Sequence, residues 1–479
     1  MTSTAAVDPT RKSWVESANQ ATSDFPIQNL PFGVFSADGE EGSGRVGIAI
    51  GDSILDVTAA LAAGLISDDA KVAAVGCSSP RLNEVMSLGR SEARALRSAV
   101  AELLDPGTTV GRRAVRVRDK ILVAMEDVVL HLPAEIGDYS DFYASIDHAS
   151  NVGGMFRPEN PLLPNYKYVP IGYHGRASSI VPTGSFIQRP SGQTRDDPAA
   201  PPTFGPSRRL DYEMEVGAFV GAGNSLGQPI AIDAAEEHIF GLCLVNDWSA
   251  RDLQTWEYQP LGPFLSKSFA TTVSPWVVTL DALEPFRRPA YARPPGDPAP
   301  LPYLSSESNA SRGGIDITLD VLIQSAQMRD VDAAPMLISR GRFTTMYWTV
   351  AQLVTHHASN GCNLRPGDLL ASGTVSGPTP DSRGCLLERT RRGTEPLTLP
   401  TGERRTFIEK DDEIIMRGYC ERDGAVRIGF GECSGVVVDD DMIFWVAGTM
   451  EADAKGPVTE RSKLRAATDW LRRRTRRRA

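Results

Sequence analysis

With 479 residues the chain can bury a large core and is long enough for two or more domains. Its 41% hydrophobic and 23% charged residues exclude bulk disorder, and a formal net charge of −10 argues against nucleic-acid binding by the body of the protein. No apolar run is long enough to span a membrane, the first residues hold no apolar signal segment, and the six cysteines include no CxxC pair, so a reducing cytoplasm is expected.

Residues 1–23 are polar and irregular and read as a flexible leader. From 24 to 131 short β-like runs dominate: Gly33-Val34-Phe35, Val46 to Ile50, and Ile54 to Val57, the last two joined by the hairpin pair Gly51-Asp52. The recurrence of Leu96, Val100 and Leu103 predicts a helix over Ser91 to Leu104, closed by Pro106-Gly107, and Val115 to Val129 adds one or two strands. No cluster of His, Cys or acidic residues falls here. This part reads as a small β-rich domain with a structural or regulatory role.

A larger region, 132–440, follows. From Asp138 through His148, Arg157, Tyr166 and Tyr168 to Arg176 it is dense in Gly, Pro, Tyr, Arg and His, the composition of loops that line sites. A lone histidine is more often structural than catalytic, so His148 by itself fixes no role. The stretch Asp211 to Lys267 concentrates the chemistry. A strand ending in Val216 to Val220 would set Glu213 and Glu215 on one face, where like charges are costly unless a cation or a shared proton lies between them. Asp247, after the apolar run Leu242 to Asn246, adds a third carboxylate, a set that suits a hard cation; a solvated acidic face is the alternative the spacing leaves open. Gly221 to Gly227 approaches a dinucleotide fingerprint, but its spacing and the following Gln228-Pro229 make it a turn. A helix is predicted from Asp247 to Tyr258, with Asp247, Arg251, Gln254 and Tyr258 on one face. Lys267, among Phe264, Leu265 and Phe269, either snorkels to water or is paired inside.

Residues 285–312 read as a surface excursion, Ile315 to Leu322 as a strand, and Met346 to Ala358 as a helix stopped by Asn360-Gly361. The pair His356-His357 is expected in capping or core roles, because adjacent helical residues face apart. Gly367 to Thr374 is an apolar strand running into a polar turn suited to a carboxylate, and Glu388 ends the apolar run after Cys385. Asp412 to Val438 again reads as strand and turn. Residues 441–479 form an extension with an amphipathic pattern over Pro457 to Arg474 and an arginine-rich end, either a solvated tail or a contact for RNA or an acidic partner.

Taken in order, Asp24 to Phe35, Asp138 to Tyr143 with His148, Gly172 to Ala177, Asp211 to Glu215, Asn246 to Asp252, Gly262 to Ser268, Asn363 to Thr374 and Arg427 to Gly431 resemble the motifs of the fumarylacetoacetase family. The resemblance runs from about residue 24 to about residue 437. It implies a mainly β fold with α+β elements, a small N-terminal SH3-like β-barrel and a C-terminal mixed β-roll, in a cytoplasmic homodimer. It implies hydrolysis of a carbon–carbon bond in 4-fumarylacetoacetate to give fumarate and acetoacetate, the last step of tyrosine and phenylalanine breakdown. For the residues, it implies that Asp141, Glu213, Glu215 and Asp247 bind Ca2+ or Mg2+, with Lys267 and Thr271 at positions associated with Mg2+. His148 is then the general base and Glu388 the acid that orients it, while Arg251, Gln254 and Lys267 surround the developing oxyanion. Tyr143, Arg157, Tyr173, Gln254, Tyr258 and Thr374 fall at substrate-binding positions. The C-terminal extension has no counterpart in the family.

Two other readings stand beside this one. Another reaction of the wider superfamily, an acylpyruvate hydrolase or a 2-keto acid hydratase or decarboxylase, has the N-terminal domain and the His148 and Glu388 pair against it. A non-catalytic protein binding through its basic tail has the intact set of acid, base and cation residues against it.

Overall fold

The computed structural model describes residues 7–37 and 44–439. The amphipathic pattern and arginine-rich end expected over 441–479 lie outside them.

The architecture is mainly β with short helices. In the N-terminal part five strands form one antiparallel sheet in the order Leu122–Ala124, Ser53–Asp56, Arg45–Ile50, Phe32–Ala37 and Val128–Leu130. The expected hairpin turns at Gly51, whose φ of 59° is the left-handed conformation that glycine adopts without steric cost. The expected helix is Arg90–Leu104, with Leu96, Val100 and Leu103 buried. Three helices of five or six residues, Val57–Ala62, Lys71–Gly76 and Asn83–Ser87, precede it unannounced, because segments under two turns are too short to display a helical period. Two more follow it: Thr109–Val115, which the sequence did not announce, and Arg118–Ile121, which occupies ground expected to be strand.

The expected flexible leader is packed over its described part. The Trp14 N–H donates to the Leu104 carbonyl at 3.0 Å, Val15 and Ala18 enter the core, and a Cβ on Gly51 would sit 2.2 Å from the Ser17 hydroxyl. Polar composition hid this, since a few small apolar side chains and well-made hydrogen bonds suffice to dock a short segment.

The larger part is built on two sheets. One has eight strands; its path runs Gly172–His174, Tyr139–Phe142, Leu369–Ala371, Met214–Val220, Ile239–Asp247, Thr271–Val273 and Ile180–Pro182, with Val278–Thr279 pairing on Ile239–Asp247. The other runs Met336–Arg342, Thr318–Gln324, Glu413–Cys420, Ile428–Val438 and Ser185–Gln188. Both are mixed: Tyr139–Phe142 lies parallel to Leu369–Ala371, and Ser185–Gln188 parallel to Ile428–Val438. Leu242, Leu244 and Trp248 share one apolar core with Leu319, Phe430 and Cys433, which joins the two sheets face to face. Phe219, Phe240 and Val245 turn to the other side and join the core of the N-terminal strands. Reciprocal backbone hydrogen bonds between Phe32 and Val277, at 3.0 and 2.7 Å, complete that junction.

Three local expectations change. Asp247 closes the strand Ile239–Asp247, pairing with Thr271, and the helix starts only at Arg251, as Arg251–Glu257. Asp247 therefore does not share a helical face with Arg251, Gln254 and Tyr258; the ladder overrides the local 3.6-residue pattern. The 285–312 excursion is anchored at both ends by buried Phe286 and Leu304 and by a helix over Glu307–Arg312. The expected Met346 to Ala358 helix begins at Val350, where Thr349 and Gln352 form a reciprocal cap.

Candidate active site

The sheet brings four carboxylates to one end. Glu213 precedes and Glu215 lies within Met214–Val220, and the neighbouring strand sets Asn246 opposite Met214, which delivers Asp247 beside them. Asp141 arrives on Tyr139–Phe142, two strands away through Leu369–Ala371. One oxygen from each of Asp141, Glu213, Glu215 and Asp247 lies within 4.8 Å of the others. Their exposures, 3%, 5%, 0% and 0%, exclude the solvated acidic face.

Two buried cations answer part of this charge. Lys267 is paired inside: its ammonium donates to Glu213 and, at 2.8 Å, to Asp247 Oδ2. Arg251 spans Glu213 Oε1 at 2.8 Å and Asp211 Oδ2 at 2.9 Å. Asp247 also accepts from the Thr271 hydroxyl at 2.9 Å and the Tyr173 phenol at 3.0 Å. Lys267 and Thr271 thus both touch Asp247, and a protonated ammonium has no lone pair to offer an ion. The remaining acids are left over. Among the described residues, both oxygens of Glu215 and Oδ1 of Asp141 are buried and have no hydrogen-bond donor.

The titration follows from this division. Burial pushes Glu215 far above the ordinary carboxylate range, and the charges of Asp141 and Asp247 push it further. Burial and then Asp247 raise Asp141 in the same way. For Glu213 burial is outweighed by Lys267, Arg251 and His148, which hold its carboxyl well below the usual range. Lys267 is likewise held above its ordinary value by Asp247 and Glu213 against the opposing effect of burial. Unpartnered, overcharged carboxylate oxygens in a buried cluster are the donor set a hard divalent cation takes.

His148 stands on the helix Ile146–Phe156, whose cap is the Ser145 hydroxyl accepting from the His148 N–H at 3.2 Å. Its Nδ1 meets Glu388 Oε2 at 2.5 Å, and the Tyr143 ring lies edge-on at 5.3 Å. This helix has no clear signature in the sequence because it contains Gly153-Gly154; a Cβ on Gly153 would fall 1.9 Å from the Pro161 carbonyl, so the loop that follows demands the glycine. Glu388 comes from the short helix Leu386–Arg389.

His148, Asp141, Glu213, Arg251 and Lys267 open into one cavity of about 510 Å³. Tyr143, Arg157, Tyr173, Gln254, Tyr258 and Thr374 line it too, while Glu215, Asp247, Thr271 and Glu388 are buried behind the wall. Among the described residues, Arg251 Nη2 and the Thr374 hydroxyl are buried polar atoms without a partner on that wall. Gln254 Oε1 accepts from Arg251 Nη1 at 3.1 Å, so the two side chains act as one unit.

The motif reading passed over several residues of the site. Asp211 is fully buried and accepts from Arg251 and from the Leu386 and Leu387 N–H groups at 2.7 and 2.9 Å, tying the Arg251 helix to the Glu388 segment. Its signal was its place two residues before Glu213. Asn151, Ser376 and Cys385 surround Glu388; only Asn151, three residues after His148 on one helix, carried a positional hint. Arg209 and Arg392 line the cavity from loops with no local signature.

Residues 28–133 match the family profile "Fumarylacetoacetase N-terminal", and residues 139–438 match "Fumarylacetoacetate (FAA) hydrolase C-terminal". The fumarylacetoacetase of Bos taurus is 49% identical over 420 residues, 87% of this chain and 96% of that protein. The chain belongs to the fumarylacetoacetase family. Other members lie at similar distance: the Arabidopsis thaliana fumarylacetoacetase is 48% identical over 417 residues, and the Caenorhabditis elegans protein 47% over 423. The two family profiles leave residues 134–138 between them, just before the strand that carries Asp141.

Proposed function

We propose that the chain hydrolyses 4-fumarylacetoacetate to fumarate and acetoacetate. The observation that carries this is one cavity onto which a carboxylate-paired imidazole, a buried acid cluster with unpartnered oxygens, and an arginine with an unpartnered N–H all converge. The names of the relatives support the same reaction.

Water is a poor nucleophile toward a ketone, and the cleaved bond must release a carbon anion. With Nδ1 committed to Glu388, His148 has Nε2 for the proton of an attacking water, and the buried carboxylate stabilises the imidazolium that results. The water oxygen adds to the ketone beside the fumaryl double bond, giving a tetrahedral oxyanion. Arg251 Nη2, Lys267 and the Gln254 amide provide the donors for that oxygen; a single well-placed donor is worth about 3–4 kcal/mol. Collapse breaks the carbon–carbon bond, its electron pair leaves on the acetoacetate carbon, and a proton replaces it. A divalent ion held by Asp141, Glu213, Glu215 and Asp247 would supply Lewis-acid stabilisation of the departing enolate. Arg157 and the tyrosines on the wall suit a substrate carboxylate.

The same reading takes the ion as Ca2+ or Mg2+, with Lys267 and Thr271 acting on it through Asp247. It takes the N-terminal sheet as an SH3-like barrel and the larger part as a mixed β-roll, divided near residues 131 and 132. It places a homodimer in the cytoplasm; among the described residues no helix is long and apolar enough to cross a membrane. The test is release of fumarate and acetoacetate by the purified chain, repeated after EDTA treatment and after adding Mg2+ or Ca2+. Absence of product overturns the reaction, and full activity after complete metal removal overturns the ion's part in it.

A further inference from the structure

Glu388 is completely buried, and among the described residues His148 is its sole ion-pair partner. Its charge is otherwise met by neutral groups. Asn151 Nδ2 donates to Oε1 at 2.8 Å, while the Ser376 hydroxyl and the Cys385 thiol donate to Oε2 at 2.8 and 3.1 Å. None of the three lines the substrate cavity.

Each donor is itself held in place. Asn151 follows His148 by three residues on one helix, so both side chains reach the carboxylate from the same face. The Ser376 oxygen accepts from the Gly384 N–H at 2.9 Å, which turns its hydrogen toward Glu388. Ser145, the cap of the His148 helix, donates to the Ser376 carbonyl at 3.2 Å and ties the two segments together. Burial pushes the Cys385 thiol far above its ordinary value, so it keeps the proton that it donates.

The chemistry of this arrangement is one-sided. An ionised carboxylate only accepts, and all four neighbours can donate, so the set is satisfied by the carboxylate and not by the acid. Burial opposes ionisation, yet His148, Asn151 and Ser376 hold the Glu388 carboxyl below the usual range. Neutral donors stabilise a charge without cancelling it. An arginine or lysine in their place would neutralise Glu388 before His148 took up a proton, and the imidazolium would lose its counter-charge.

We propose that Asn151, Ser376 and Cys385 are positioning residues for Glu388: three neutral donors that keep its carboxylate charged and aligned with His148 Nδ1. The proposal rests on the hydrolase reading above, in which His148 is the base.

The test is steady-state hydrolysis of fumarylacetoacetate by the full, metal-loaded chain. Ser376→Ala and Asn151→Ala are expected to lower kcat by about 10- to 100-fold, the size seen when outer partners of orienting groups are removed, with KM within about twofold. Cys385→Ala falls less, because a thiol is a weak donor, and Cys385→Ser restores most of that loss. The decisive comparison is made in a Glu388→Gln background. There Ser376→Ala adds no further loss, since the charge it serves is gone; a merely structural role would cost the same in both backgrounds. If Asn151→Ala does not fold, Asn151→Ser and Ser376→Ala carry the test. Wild-type kcat in the single variants overturns the proposal, as does a loss that is undiminished beside Glu388→Gln. A wild type that releases no fumarate overturns the hydrolase reading, and the positioning role falls with it; an active wild type with unaffected variants overturns the positioning role alone.

Discussion

Stripping the divalent ion is expected to destabilise the protein at neutral pH far more than at acid pH, and Glu215→Gln is expected to erase that difference. Counting Asp211, five buried carboxyl groups face two buried cations, Arg251 and Lys267, which leaves three of them without a local counter-charge when ionised. Two like charges at the 4.8 Å limit of the cluster repel by about 3.5 kcal/mol at an effective dielectric of ~20. Burial, and then this repulsion, raises Asp141 and Glu215. A carboxyl raised in the folded chain still holds its proton where the unfolded chain has released its own. The stability of the ion-free protein therefore falls as pH rises from the ordinary carboxylate range through the raised values, and it stays low above them. An ion bound by the folded state alone adds about 2.7 kcal/mol at a hundredfold excess over Kd. At roughly 2.1 cal/mol/K per residue, some 430 described residues give an unfolding entropy of about 0.9 kcal/mol/K, so the ion raises Tm by about 3 °C. The assay is a thermal melt of EDTA-treated protein at pH 5 and pH 8, with and without Mg2+ or Ca2+. Glu215→Gln removes one of the uncompensated charges, so it should raise the ion-free Tm at pH 8 while abolishing the response to the ion. A melt indifferent to both pH and ion, or a Glu215→Gln variant that responds like the wild type, refutes the reasoning.

Three further outcomes follow from the same geometry. His148→Gln should lower turnover by about 10²–10⁴-fold with Tm unchanged, as loss of a general base does; normal turnover by a folded variant removes His148 from the chemistry. Lys267→Met leaves Asp247 without a cation and Glu213 with Arg251 alone, and urea unfolding should show a loss of about 3–5 kcal/mol in the ion-free protein; a loss under 1 kcal/mol would mean that the buried pairs contribute little. Gly373 has a φ of 76°, and a Cβ there would lie 2.0 Å from the Phe142 carbonyl, so Gly373→Ala should cost about 1–3 kcal/mol of backbone strain or more and raise KM by displacing Thr374; a variant with wild-type Tm and KM contradicts this placement.

What the sequence made legible was local. Period-two alternation placed Glu213 and Glu215 on one face, and the Leu96, Val100 and Leu103 pattern found the one long helix of the N-terminal part. What it missed depended on distant partners: Asp247 was drawn into a helix although the Thr271 strand holds it in the sheet, and Asp211 takes two of its hydrogen bonds from Leu386 and Leu387, 175 and 176 residues away. The acidic pair shows where the limit lies. Two residues apart, one just before the strand Met214–Val220 and one within it, and both deeply buried, Glu213 and Glu215 are equivalent by spacing, yet burial and their neighbours shift them in opposite directions. The difference is made by Lys267 and Arg251, which reach Glu213 and, among the described residues, leave neither oxygen of Glu215 with a hydrogen-bond donor. In the proposed reaction Glu213 anchors the cations that face the oxyanion, and Glu215 is the carboxylate that would hold an ion. A strand's period can say that two acids share a face; which of them the rest of the chain has already satisfied is decided by side chains that reach the face from other elements.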